Sequence, residues 1–354
     1  MADAQFSLAD LDHPIVQAPL AGGPSTPALA AAVCDAGGLG LVAAGYKTAE
    51  AVREEIAAVR AATERPFGVN LFAPPGPVAG DAEVRRYADG LRGEVERYGV
   101  ATGEPRHDDD DWAAKLAVVV EERMPIVSFT FGCPPAAVVE ALHGAGGAVW
   151  VTVTTPAEAE VARDTGADAL VVQGVEAGGH RGSFDDDAPG EIGLLALLQL
   201  VGAAVDLPLV ATGGIVTGRA IAAVLAAGAS AAALGTAFLL TPEAGTSAPH
   251  RTALAGDGAT GLTRAFSGRT ARGIVNRFQR EHSADAPSAY PDVHYVTAPL
   301  RAAARERGDA DAINLWAGQA HALAVAEPAG QLVRQLGAEA REALASTSRR
   351  YPPR

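Results

Sequence analysis

One histidine in this chain stands where a proton could be moved. His180 lies in Gln173-Gly-Val-Glu-Ala-Gly-Gly-His-Arg-Gly-Ser183, directly after the apolar run Ala169 to Val172. A run of that length reads as a strand buried on both faces. Barrel enzymes present catalytic side chains from loops at the C-terminal ends of such strands. An unperturbed imidazole titrates near ~6.5, so it accepts a proton at neutral pH. Gly178 and Gly179 carry no Cβ and leave room for a flat ligand against the backbone. The stretch therefore predicts a polar, glycine-rich loop with His180 as the base. Glu176 and Arg181 are close enough in sequence to orient it or to bind an anion.

Two further strand ends are rich in glycine: Thr212-Gly213-Gly214 and Gly235-Thr236. Loops after the last two strands of a barrel commonly hold a phosphate, on backbone N–H groups and a helix N-terminus. Asn70 and Gln173 end the third and sixth apolar runs. Their amides offer both donor and acceptor, which suits the uracil-like edge of a flavin or, equally, a satisfied core. His13, His107, His143, His250, His282, His294 and His321 lack the setting of His180. No His, Cys, Asp and Glu grouping has metal-ligand spacing, so no metal is expected. The only lysines, Lys47 and Lys115, end no strand, which argues against a Schiff base. Cys133 reads as packing. Tyr290, Tyr295 and Trp316 could line a pocket, with packing in the tail the simpler reading.

Strand–helix units must position these residues. Strands are expected over 13–20, 39–43, 67–71, 126–130, 148–153, 169–172, 209–212 and 231–234, alternating with helices. Ser25 or Thr26 with Pro27, and Gly37-Gly38, supply a start and a stop for the first helix. Eight such units predict an α/β chain folded as a (β/α)8 TIM barrel over 1–240. No Gly-x-Gly-x-x-Gly opens the first helix, against a doubly wound dinucleotide fold. A helical insertion is expected over about 73–124, with a stiff loop at 73–77 and a solvated acidic tip at Asp108 to Asp111. Residues 241–354 read as a smaller, mainly helical C-terminal cap. Helices are expected there over 299–307, 310–326 and 329–346, and a loop over 290–295.

The bulk numbers bound the function. The chain has 354 residues, 48% hydrophobic and 20% charged, with a net charge of −14. Such an acidic chain is a poor ligand for nucleic acid or an anionic membrane. No apolar run is long enough to span a bilayer, and residues 1–12 lack a basic n-region. Two cysteines make no disulfide framework. These features together predict a cytoplasmic enzyme.

With these residues in place the chain resembles the nitronate monooxygenases, formerly 2-nitropropane dioxygenases, in their class I branch. The likeness rests on Gln17-Ala-Pro-Leu-Ala-Gly-Gly23, Gly68-Val-Asn70, Ser128-Phe-Thr-Phe-Gly132, the Gln173 to Gly182 stretch, Gly213-Gly-Ile215, Gly235-Thr-Ala-Phe238 and Ser267-Gly-Arg-Thr-Ala-Arg-Gly273. The resemblance implies FMN bound at the barrel mouth by Asn70, Gln173, Gly178, Gly179, Gly213, Gly214 and Ala233, Leu234, Gly235 and Thr236, with His180 as base. It implies oxidation of an alkyl nitronate, propionate 3-nitronate foremost, by O2 to a carbonyl compound and nitrite. Leu20 departs from the family, which often has Met beside the flavin. The alternatives are an FMN-dependent enoyl-acyl-carrier-protein reductase and a flavin-binding barrel without turnover.

Overall fold

The structure, a computed structural model, describes residues 6–74, 76 and 80–351. Pro75 and Pro77 of the expected stiff loop lie outside them. In chain order the strands are β1 (Ile15–Gln17), β2 (Leu41–Ala43), β3 (Gly68–Phe72), β4 (Ile126–Thr130), β5 (Ala148–Val153), β6 (Ala169–Gln173), β7 (Gly179–His180), β8 (Leu209–Thr212), β9 (Ala231–Leu234), β10 (Thr260–Thr263) and β11 (Ala271–Ile274). Eight of them form one parallel sheet in the order β1-β9-β8-β6-β5-β4-β3-β2. A parallel bridge between Val16 and Leu39 brings its two edges together. This is a TIM barrel, as the strand–helix count requires.

Alternation along each strand separates two apolar layers. Val16, Ile126, Trp150, Ala169, Val210 and Ala233 point inward and fill the barrel, with Phe6, Leu8 and Leu11 packed against that cluster. Ile15, Val127, Val149, Leu170, Ala232 and Leu234 point outward beneath the helices. Threonine starts four helices of the ring. Thr26, Thr48, Thr155 and Thr217 each accept a hydrogen bond from a first-turn N–H, satisfying donors that have no partner within the helix.

The cap is a second core. Val84, Tyr87, Leu91 and Tyr98 from the insertion pack with Phe266, Phe278, Val293, Val296 and Leu300 from the C-terminal segment. Trp112–Glu121 packs on β3 and on the helices Ala49–Ala62 and Ala136–Gly144. Ala329–Arg350 packs against Gly218–Ala226 and Pro27–Asp35, closing the ring between them.

Three expectations in the cap are corrected. The loop expected over 290–295 is the start of a helix, Asp292–Glu306, with Pro299 inside it. Pro299 has no N–H to give the Tyr295 carbonyl; Gly103 lies against that carbonyl and donates to Val296 O at 2.9 Å. The helix expected over 310–326 is reduced to two short turns, Ala310–Ala312 and His321–Leu323. Its backbone is used elsewhere: Asn276 Nδ2 holds Ala310 O and Ile313 O, and Trp316 bridges to Gly273. Finally, the acidic tip is partly interior. Asp110 accepts from Tyr46 N–H and pairs with the buried Lys115 at 2.8 Å.

Candidate active site

A cavity of about 390 Å³ opens at the C-terminal ends of the barrel strands, roofed by the cap. Asn70, Gln173, Gly178, Gly179, His180, Gly213, Gly214, Ala233, Gly235 and Thr236 all line it. Leu234 is the exception. Its neighbours in β9 face the barrel, so its own side chain turns outward into the layer beneath the helices.

His180 is not on a loop. With Gly179 it forms β7, which pairs antiparallel with Ala271 and Arg272 of β11. The ribbon from the cap thus fixes the backbone of the imidazole, which a free loop would leave mobile. Its Nε2 lies 2.8 Å from Ser267 Oγ, and Ser267 is held in turn by the Arg269 backbone. Phe131, Tyr290 and Trp316 surround the ring with centroids at 5.7, 5.8 and 5.4 Å. Burial, with the Arg269 and Arg301 guanidiniums nearby, pushes the His180 pKa down to about 3. The imidazole is therefore neutral at any physiological pH, more firmly than its unperturbed value implies.

Gln173 and Arg181 hold the stretch in place. Gln173 Nε2 donates to His180 O at 3.1 Å, and its Oε1 accepts from Arg181 Nη1 and Gly182 N–H. Arg181 is fully buried and donates to the carbonyls of Gln173, Gly174, Pro189 and Gly190. It neither orients the His180 ring nor is free for an anion, as its place beside His180 had suggested. Glu176 likewise accepts from Leu194 N–H at a helix start. Asn70 Nδ2 is committed to Ser128 and Thr130, which leaves its Oδ1 as the free end of that amide among the described residues.

The glycine turns offer donors. Gly213 and Gly214 take φ of +120° and +68°, which L side chains rarely adopt. The N–H groups of Gly214, Gly235 and Thr236 donate to no described residue. Such donors turned toward one end of a cavity make an anion cradle.

Several site residues were not singled out in the sequence. His250 and His294, set aside for lacking the His180 setting, both line the cavity, as do Tyr46, Phe131, Ser267 and Arg301. Burial first, then Arg301, pushes His294 down to about 2, and burial lowers His250 to about 4. Trp316 lines the cavity as well, while Tyr290 meets His180 from its side. Tyr46 and Phe131 both hold positive φ, at 67° and 78°. Strained residues persist where the surroundings over-determine them, commonly at sites of function. No short-range pattern encodes these positions, because the cap folds back over 200 residues onto the barrel mouth. One cluster of ligating type that sequence spacing also missed, Glu94 with Glu281 and His282, is filled by Arg277.

The nitronate monooxygenase family model matches residues 6–339. A nitronate monooxygenase of Pseudomonas aeruginosa is 43% identical over 96% of this chain and all of its own length. A nitroalkane oxidase structure from Streptomyces ansochromogenes is 52% identical with a TM-score of 0.93, covering 96% of this chain and 99% of that one. FabK from Thermotoga maritima is 26% identical with a TM-score of 0.76, covering 97% of each.

Proposed function

The chain belongs to the nitronate monooxygenase family, and from that premise we propose that it binds FMN and oxidises alkyl nitronates with O2 to carbonyl compounds and nitrite. Propionate 3-nitronate is the foremost candidate substrate. The observation that carries this reading is the sharing of one cavity by an anion cradle of unpaired N–H groups and a neutral, fixed imidazole.

The residues present fit the cofactor. Gly214, Gly235 and Thr236 would hold its phosphate by their free N–H groups. Asn70 Oδ1 and the second Nε2 hydrogen of Gln173 would meet the polar edge of the ring system. Gly178 lies so close to the backbone of Ala317 and Gly318 that a Cβ would collide at 2.4 Å; that contact keeps the His180 stretch thin beside the ring. Bound FMN supplies the redox chemistry between nitronate and O2.

The protein's own part is acid–base and electrostatic. A neutral nitroalkane must lose its α-proton, and His180 is the group placed to take it. Because the imidazole is already neutral, it is competent without prior deprotonation. Arg269 and Arg301 disfavour the imidazolium but favour the nitronate anion formed at the same moment. For a preformed nitronate His180 only positions the anion. Phe131, Tyr290 and Trp316 exclude water around it. No helix among the described residues is long and apolar enough to cross a membrane, which is compatible with the cytoplasmic residence we infer.

An absorption spectrum of the purified protein, followed by anaerobic addition of nitronate and then air, tests the reading. A flavin spectrum bleached by nitronate, with nitrite released in air, supports it. A colourless protein rejects the cofactor, and bleaching by NADH but not by nitronate favours the reductase alternative.

A further inference from the structure

The Ser267 hydroxyl has one hydrogen to give and two acceptors within reach. One is the Arg269 carbonyl at 3.3 Å; the other is His180 Nε2 at 2.8 Å. The Arg269 N–H donates to the same oxygen at 3.4 Å. In a neutral imidazole one ring nitrogen carries hydrogen and the other a lone pair, and their partners decide which is which. The direction of the Ser267 hydrogen therefore sets the tautomer of His180.

The network favours the carbonyl. Arg269 is buried, and its carbonyl receives no other donor among the described residues. A hydroxyl turned toward His180 would leave that carbonyl unpaired. A hydroxyl turned toward the carbonyl satisfies every contact at once: it gives to Arg269 O and accepts from Arg269 N–H and from an Nε2–H. The turn that holds it is rigid. Gly268 has φ +78° and lies against the Ala289 backbone with no room for a Cβ, and Ala289 N–H donates to Gly268 O at 2.9 Å. Phe131, Tyr290 and Trp316 wedge the imidazole against rotation. His180 Nδ1 has no hydrogen-bond partner among the described residues, and it is not closed off from the cavity that the ring lines.

We propose that Ser267 is a positioning residue that fixes His180 as the Nε2–H tautomer, so that Nδ1 is the atom that takes the α-proton of a nitroalkane. This rests on the nitronate reading above and adds which atom acts and what holds it. In the step the Cα–H bond breaks and its proton bonds to the Nδ1 lone pair. The electron pair left on carbon forms the C=N bond of the nitronate, and the nitro oxygens take the negative charge. The imidazolium so formed keeps its Nε2–H on Ser267 Oγ, where a lone pair meets the new positive charge. The Ser267 hydrogen stays on Arg269 O, so the captured proton does not pass through the cap. It leaves Nδ1 on the cavity side.

Nitrogen–proton correlation spectra of FMN-loaded protein carrying isotope-labelled histidine read the tautomer without turnover; the signals missing from His180→Asn identify those of His180. The wild type should show hydrogen on Nε2 and a bare Nδ1 at about pH 7. Ser267→Ala should show a mixture of tautomers, and Ser267→Thr, which keeps the hydroxyl, should keep the wild-type pattern. Nitrite release is then measured with nitroethane and with preformed ethyl nitronate. Ser267→Ala should lose about 10- to 10²-fold in kcat for nitroethane, with KM changed by less than about threefold, and should lose less on the nitronate, which needs no such transfer. Ser267→Thr should recover much of the loss. Hydrogen on Nδ1 in the wild type would overturn the proposal, as would Ser267→Ala with wild-type tautomer and turnover. Equal losses in Ser267→Ala and Ser267→Thr, with the wild-type tautomer kept in both, would overturn it too, assigning Ser267 to packing. The expected tautomer in a protein that releases nitrite from neither substrate would reject the nitronate reading and leave the tautomer lock standing.

Discussion

His180 Nε2 sits 2.8 Å from Ser267 Oγ, although 87 residues separate them in the chain. The bond joins the barrel to its cap: β7 carries the imidazole, and the turn before β11 carries the hydroxyl. Ser267 is 2% exposed and is itself fixed by the Arg269 backbone. The ring is thereby oriented before any substrate arrives. His180→Asn removes the base and keeps the polarity. It should lower nitroalkane turnover by about 10²–10⁴-fold, with a smaller effect on preformed nitronate and full retention of FMN. Steady-state nitrite release with both substrates measures this. Equal turnover of nitroalkane by variant and wild type would remove His180 from the chemistry.

Acid should weaken the folded state through three imidazoles. Burial lowers His180 to about 3, His294 to about 2 and His250 to about 4. Each is neutral in the folded protein at a pH where the unfolded chain, near 6.5, already binds a proton. The unfolded state therefore holds more protons below pH 6.5, and stability falls as pH falls from there toward 4. Above 6.5 this contribution is fully present. The slope is at most about 1.4 kcal/mol per pH unit per histidine. Chemical unfolding of FMN-saturated protein between about pH 7.5 and about pH 4.5 gives the curve, and His250→Gln should flatten it. A flat profile in the wild type would mean that these imidazoles are not desolvated as the packing indicates.

The barrel was legible in the sequence because its signals are local. Apolar runs of strand length, threonine or proline at helix starts and glycine at helix ends lie within a few residues of one another, and β4, β5, β8 and β9 fall where the runs do. The glycine turns and His180 were legible for the same reason. Arg301, His294 and Tyr46 were not, since their meaning depends on a cap segment folding back onto the mouth, and Ser267 entered only within a motif of the resemblance. Pro299 misled in a specific way: a proline reads as a helix start, whereas here it lies inside Asp292–Glu306, with Gly103 donating to the neighbouring Val296 carbonyl. Arg181 misled oppositely. Its place beside His180 suggested an anion site, but four carbonyls absorb its donors.

Cofactor retention should respond to the glycine turn after β8. Gly214 has φ +68°, and a Cβ there would come within 3.1 Å of Glu176 Cβ. Gly214→Asp adds backbone strain, crowds Glu176 and places a carboxylate beside the free N–H groups. The affinity for FMN should fall by about 10²-fold or more, since like charges at a desolvated contact cost several kcal/mol. Gly214→Ala carries the strain without the charge and should fall between the variant and the wild type. Flavin fluorescence during dialysis reads both. Undiminished retention in Gly214→Asp would move the phosphate elsewhere.

The Lys115–Asp110 pair ties the stability of the barrel ring to the geometry of Tyr46. Lys115 Nζ and Asp110 Oδ2 are 2.8 Å apart, with side-chain exposures of 2% and 17%. Burial pushes the Asp110 carboxyl up, and Lys115 opposes that shift. Removing one member of a buried pair leaves the other uncompensated, which costs about 3–5 kcal/mol, whereas removing both costs far less. Lys115→Met should therefore lower the urea midpoint sharply, and the double variant Lys115→Met with Asp110→Asn should recover much of the loss. Asp110 also holds the Tyr46 N–H at 2.9 Å, so Lys115→Met should also loosen the left-handed turn at Tyr46 on the cavity wall. An unfolding free energy for Lys115→Met within about 0.5 kcal/mol of wild type, the range typical of a surface change, would show that the pair is solvated and that Tyr46 is held by other means.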